Sequence, residues 1–268
     1  MYKMDRMRAR RALIAAFAAM VLPAVTGLLY ADQHVPPRPE LPLELETHLR
    51  AFWQLGSWEP MVSLDARAED DFELFYRSLT LGSYYRVHRN VKIGAFYRLQ
   101  QGARHDDDWI ASSDPPGEFE WDDTNSRFEH LFFADVSPRF LIPQLPGGNW
   151  VFMLKNRYFY NTFNQQQWLT VRPGLTWFYI VDREPVINVA LNYDFYVPLN
   201  FGETFLYGHA PYLNVLYHLS PTVKIDATVA HRTRTWSTSE DVQDDPAHGD
   251  YRRRVRSWVI GLGTVLRL

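Results

Sequence analysis

Four groupings in the sequence bring together residue types able to do chemistry. His218 and Ser220 stand at H-x-S spacing, which on a β-strand puts both side chains on one face. A hydroxyl nucleophile and its base need that kind of placement. His105 adjoins Asp106 and His248 lies close to Asp250, so each is a candidate dyad in which a carboxylate orients an imidazole. Further carboxylates crowd both stretches: Asp107, Asp108, Asp114, Glu118, Glu120, Asp122 and Asp123 in 103–125, and Glu240, Asp241, Asp244 and Asp245 in 238–251. Clustered carboxylates can bind hard divalent cations, but neither run has the spacing or the glycine of a calcium-binding loop, and both read as solvated acidic loops. The last grouping is Arg252, Arg253, Arg254 and Arg256, whose guanidinium forks match phosphate oxygens. Simple snorkelling of basic side chains at a membrane interface accounts for it equally well.

None of these groupings identifies an enzyme. Loop adjacency does not make nucleophile, base and orienter converge, and the chain has neither a G-x-S-x-G elbow nor an HExxH pair. No catalytic residue, metal ligand or cofactor is therefore assigned. With no Cys, a thiolate metal centre and a disulfide framework are both excluded. A net charge of -3 and a pI near 6.3 give no basic balance favouring nucleic acid.

The elements that must position these residues begin with an export signal. Lys3, Arg6, Arg8, Arg10 and Arg11 precede an almost uncharged run from Ala12 to Ala31, which reads as a cleavable signal peptide over 1–31. An uncleaved membrane anchor is the alternative. Residues 32–46 carry Pro36, Pro37, Pro39 and Pro42 and read as an extended periplasmic arm. From 47 to 268 the pattern is alternation. In 186–199, Ile187, Val189, Leu191, Tyr193, Phe195, Val197 and Leu199 share one parity, while Asn188, Ala190, Asn192, Asp194 and Tyr196 share the other. The stretches 91–99 and 223–229 repeat the pattern, and 49–66, 72–87, 126–142, 150–163, 167–181, 207–219 and 252–268 are further strands.

Most of these runs reach the roughly 9 to 11 residues that a tilted transmembrane strand needs, and their connections alternate between short turns and long polar loops. The expected fold is all-β: a membrane-spanning antiparallel up-and-down barrel of about 10 strands, with 8–12 allowed. Tyr85, Trp150, Tyr158, Tyr160, Trp177, Tyr179, Tyr193, Tyr217 and Trp258 suit aromatic girdles at the two interfaces. On the polar parity, Arg86, Lys92, Arg98, Arg127, Arg139, Lys155, Arg157, Arg172, Lys224, Arg232 and Arg234 face Glu129, Asp135, Asp194 and Asp226, which predicts a basic lumen. Such a lumen is either a salt-bridged scaffold or a narrow channel favouring a small anionic solute.

The final segment, Trp258 to Leu268, resembles the C-terminal assembly signal of Gram-negative outer-membrane barrels, with Trp258, Ile260, Leu262, Leu266 and Leu268 on one face. It departs from that pattern by ending in Leu and by placing Thr264 on the apolar face. The resemblance implies a bacterial outer-membrane location, contact with lipid and lipopolysaccharide, and recognition by the barrel assembly machinery through the last strand. Runs such as FELFYRSLTLGSYYRVHRNVKIGAFYRLQ and KNRYFYNTFNQQQWLTVRPGLTWF are similar to small outer-membrane barrels known only as a domain of unknown function. The His218/Ser220 pair resembles that of outer-membrane lipid A deacylases, which keeps lipid modification as an alternative function. His105 and His248 are the only candidates for the dyad of outer-membrane omptin proteases.

Overall fold

The computed structural model describes residues 43–69, 72, 74–103, 105, 109–113, 116–121, 124, 126–202, 205–237 and 252–268. The signal segment, the arm up to residue 42 and most of the two acidic loops lie outside the described residues, as do Asp106, His248 and Asp250.

Thirteen strands follow one another: β1 Leu43–Phe52, β2 Trp58–Ala68, β3 Leu74–His88, β4 Val91–Gln101, β5 Trp109–Ser113, β6 Pro116–Trp121, β7 Phe128–Leu141, β8 Trp150–Asn161, β9 Gln167–Val181, β10 Glu184–Pro198, β11 Gly208–His218, β12 Val223–Ser237 and β13 Arg252–Arg267. Eleven of them close a barrel in the order β1-β13-β12-β11-β10-β9-β8-β7-β4-β3-β2, while β5 and β6 form a separate two-stranded sheet. The expected up-and-down barrel is present, with one strand more than the expected number.

The extra strand comes from two departures from the sequence reading. Residues 49–66 are not one strand: the chain turns at 53–57, where Gly56 adopts φ 63° and the backbone amides and carbonyls of Leu55 and Trp58 pair. Leu43 to Glu46, read as part of the proline-rich arm, form the first half of β1 opposite Trp258 to Gly261. An odd number of up-and-down strands leaves the first and last running the same way, so β1 pairs with β13 in parallel and every other barrel pair is antiparallel.

Connections 53–57, 89–90, 142–149, 182–183 and 219–222 cluster at one end, and 69–73, 102–127, 162–166, 199–207 and 238–251 at the other. Leu43 enters the barrel at this second, long-connection end. The two-residue turn at 182–183 has positive φ at both Asp182 and Arg183, the mirror-image turn whose twist suits antiparallel neighbours.

Burial is inverted relative to a protein folded around an apolar core. Among the described residues, 20 buried side chains are polar or charged and 10 are hydrophobic, while 31 large hydrophobic side chains are exposed. In β7 the alternation is plain: Glu129, Leu131, Phe133, Asp135 and Ser137 are buried inside, and Phe132, Val136 and Phe140 are exposed outside. The outward aromatics form two bands. Trp58 and Tyr85, Trp150 and Trp177, Tyr179 and Tyr217 lie toward the short-turn end, with Trp58 packed 4.8 Å from Tyr85. Tyr97, Tyr158, Tyr160, Tyr193 and Trp258 lie toward the other. At about 3.3 Å per residue and a tilt near 40°, the offset from Trp150 to Tyr158 on β8 separates the bands by about 20 Å.

Candidate functional site

The candidate site is the barrel interior, built by the inward parity of all eleven strands. Four aromatic side chains start it. Phe96, Phe133, Phe159 and Trp168 are direct cross-strand partners on β4, β7, β8 and β9. Their rings follow one another at 4.8, 5.1 and 4.8 Å between centroids, the two outer contacts stacked and the middle one tilted. The row needs space on its flank, which Gly82 supplies: a Cβ there would sit 2.3 Å from the Phe96 ring. Arg157 lies 4.4 Å above the Phe133 ring and Arg98 lies 5.2 Å from it, so the π faces are covered by cations.

Around this row the charged side chains gather in sectors. In the first, Arg232 on β12 donates to Glu44 at 2.5 Å and to Glu46 at 2.7 Å, both on β1. Arg67 reaches Glu46 at 3.0 Å, and the Ser257 hydroxyl donates to Glu44 at 2.6 Å. These contacts stitch together the strands on both sides of the parallel seam. In the second, Arg157 and Lys155 converge on Asp135 at 3.0 and 3.3 Å, and Tyr84 donates to the same carboxylate at 3.1 Å. In the third, Arg172 grips Asp194 through two hydrogen bonds of 2.5 and 2.6 Å.

Two more groups sit at the ends. At the long-connection mouth, Arg127 and His105 meet the fully buried Glu129 at 3.0 and 2.7 Å, joined by the amides of Gln100 and Asn161. Through His105 the 102–127 connection is tied to the inner wall. At the short-turn end Lys92 pairs with Glu59, which also has Arg267 at 3.5 Å. Asp226 faces His48 at 3.4 Å and is hydrogen-bonded by Asn214.

A cavity of about 710 Å³ remains between the sectors. It is lined at the long-connection mouth by Ala103, His105, Phe201 and Tyr207, and near the short-turn end by Met153, Thr176, Asn188 and Leu216. Eight Arg or Lys side chains line it (Arg50, Arg67, Arg98, Lys155, Arg157, Arg172, Arg232 and Arg234) against five carboxylates (Glu44, Glu46, Asp65, Asp194 and Asp226).

Of the basic residues read from the sequence, Arg98, Lys155, Arg157, Arg172, Arg232 and Arg234 reach this cavity, together with the acidic Asp194 and Asp226. Glu129 and Asp135 are buried in the surrounding wall, and Arg127 is bound to Glu129. Lys92 and Lys224 stand at the short-turn end, where Arg86 and Arg139 are exposed and Arg139 donates to the Arg89 carbonyl at 3.2 Å. The sequence reading missed Arg50, Arg67, Glu44, Glu46, Glu59 and Asp65, all on β1 or β2, where the strands themselves were misplaced. Four of those six are acidic, so the basic excess is smaller than the sequence suggested.

Of the other candidate groupings, the His105/Asp106 and His248/Asp250 pairs include residues outside the described ones, and the His218/Ser220 pair does not assemble. Ser220 Oγ accepts from the backbone amides of Thr222 and Val223 at 3.3 and 3.0 Å and shares a hydrogen bond with the Thr222 hydroxyl, which makes it the cap of the 219–222 turn. No hydrogen bond joins it to His218, whose Nε2 is buried without a hydrogen-bond partner among the described residues. Arg254 and Arg256 are exposed on the outer face in line with Trp258; the backbone of Arg252 and Arg253 belongs to β13, and their side chains lie outside the described residues. No family model, curated protein or solved structure matches the chain.

Proposed function

We propose that the chain is an integral bacterial outer-membrane β-barrel whose lumen forms a narrow passage favouring small anions. Three features support the membrane location: the inverted burial, the two aromatic bands about 20 Å apart, and barrel strands of 10 to 16 residues. In the outer membrane the short turns face the periplasm and the long connections face outward. The segment preceding Leu43 then meets the barrel at its outer end, not at the periplasmic end assumed for the proline-rich arm.

The observation that carries the transport reading is the cavity that extends between the two ends with eight basic and five acidic side chains on its wall. A net positive lining lowers the barrier to an anion and raises it for a cation. Eleven strands lie between the eight of a filled barrel and the sixteen of a wide channel, which suits a passage too narrow for large solutes.

A second reading, a closed structural scaffold, is favoured by the pairing of the inward carboxylates. Glu44, Glu46, Glu59, Asp65, Glu129, Asp135 and Asp194 each meet an Arg or Lys. Arg98 separates the two readings. Its Nε donates to Thr80 Oγ1 at 2.9 Å and, among the described residues, it has no carboxylate partner. Arg98→Gln removes one uncompensated lumenal charge without stranding an acid. In planar bilayers under a salt gradient, the substitution lowers the anion-over-cation permeability ratio. An unchanged ratio in a conducting R98Q barrel would count against a lumen whose basic wall selects.

A further inference from the structure

The outer wall of the barrel holds a second recess, of about 680 Å³, lined mainly by the outward side chains of β1, β2, β3, β4 and β7. Two cross-strand rows define it. The row nearer the long-connection end runs Thr47, Ala66, Arg77, Gln101 and Phe128, and the next runs Leu49, Leu64, Leu79 and Leu99. The small side chains of Thr47 and Ala66 create the depression, the four leucines floor it, and the exposed Phe128 ring flanks it.

Arg77 crowns this apolar floor. Its Nε donates to Gln101 Oε1 at 2.6 Å, which fixes the guanidinium plane. Among the described residues its two Nη groups make no hydrogen bond and it has no ion pair, so a cation stands at the rim with donors to spare. A leucine floor running toward the mid-plane and a guanidinium at the level of the interface have opposite requirements, and one molecule meets both: an acyl chain for the first, an anionic headgroup for the second.

We propose that this recess binds a phosphate-bearing lipid of the outer leaflet, with one acyl chain along Leu49, Leu64, Leu79 and Leu99 and the phosphate on Arg77. The assignment rests on the membrane reading above and adds to it a defined lipid site on one sector of the wall. It differs from a general attraction to anionic lipid because this sector combines a recess with a cation, which the β8–β9 wall does not. On β8 and β9 the outward residues of the long-connection half are Tyr158, Tyr160, Leu169 and Val171, with no basic side chain.

The chain has no Cys, so one introduced thiol gives a unique label. Leu81→Cys places a fluorophore beside the recess without filling it, and Val171→Cys places one on the β9 wall. Each full-length mature barrel is inserted into phosphatidylcholine vesicles carrying a minor fraction of brominated phosphatidic acid or brominated phosphatidylcholine, and quenching is compared. Insertion is checked first by protease protection on the same vesicles. Phosphatidic acid is preferred at Leu81→Cys by about fivefold, as expected for one Arg at a membrane surface, and by little at Val171→Cys. Arg77→Gln in the Leu81→Cys barrel abolishes the preference, and Ala66→Leu, which fills the recess, reduces it. Added inorganic phosphate leaves it unchanged. Equal preference at both sites, or a preference that survives Arg77→Gln, overturns the lipid site while leaving the membrane reading intact. Displacement by inorganic phosphate overturns the lipid as the occupant. A barrel that fails to insert overturns both readings.

Discussion

Replacing Arg232 by Met should destabilise the barrel more than any surface substitution, because Arg232 holds two carboxylates across the closure seam. Its side chain is 9% exposed, as is that of Glu44, so water screens the pair little. On Arg232→Met, Glu46 keeps Arg67 at 3.0 Å, while Glu44 loses the Arg232 hydrogen bond, keeps that from the Ser257 hydroxyl and still feels the charges of Arg234 and Arg67. One buried carboxylate loses its hydrogen-bonded cation, and breaking a buried pair from one side costs up to about 3–5 kcal/mol. The assay is urea unfolding of the vesicle-inserted barrel followed by tryptophan fluorescence and extrapolated linearly to water. The double variant Glu44→Gln/Arg232→Met removes the stranded charge, keeps an acceptor for Ser257 and should return to within about 1 kcal/mol of wild type. A cost below about 1 kcal/mol for R232M, or a double variant no more stable than the single one, would refute the claim that this cluster fastens the seam.

Two further substitutions probe other parts of the structure. Gly82→Ala drives a Cβ to 2.3 Å from the Phe96 ring and 2.4 Å from the Ala95 carbonyl, and should cost about 1–3 kcal/mol; an unaltered urea midpoint would mean that the aromatic row is not tightly seated. Membrane sidedness is read with single cysteines at Phe205 in the 199–207 connection and Gln144 in the 142–149 turn, both exposed. In intact cells an impermeant maleimide should label Phe205→Cys and spare Gln144→Cys, and the reverse pattern would invert the orientation.

Strand identity was legible wherever inward and outward residues differ in chemistry. In β10, Asn192 and Asp194 alternate with Leu191 and Tyr193, and the structure buries the first pair while leaving Leu191 on the outer wall. The same contrast placed Arg98, Asp135, Arg172 and Arg232 on the inner face. It failed at the N-terminal side for a local reason. Around Trp53 to Trp58 the apolar side chains occupy both parities, so only Gly56, with its left-handed backbone, marks the turn. The prolines up to Pro42 then gave Glu44 and Glu46 the look of an arm, although both carboxylates are the partners of Arg232. Missing that strand changed an odd count to an even one, and with it the end of the barrel at which β1 starts. The wall recess was beyond reach for another reason: Ala66, Arg77 and Leu99 lie on β2, β3 and β4, and only the barrel register brings them together.

The most direct test of the account is the reversal potential of the refolded mature barrel in planar bilayers under a salt gradient, with insertion verified on the same preparation. The account predicts reproducible small conductance steps whose reversal potential has the sign of an anion-selective path. Verified insertion without steps, or steps selective for cations, would contradict a basic lumen that conducts.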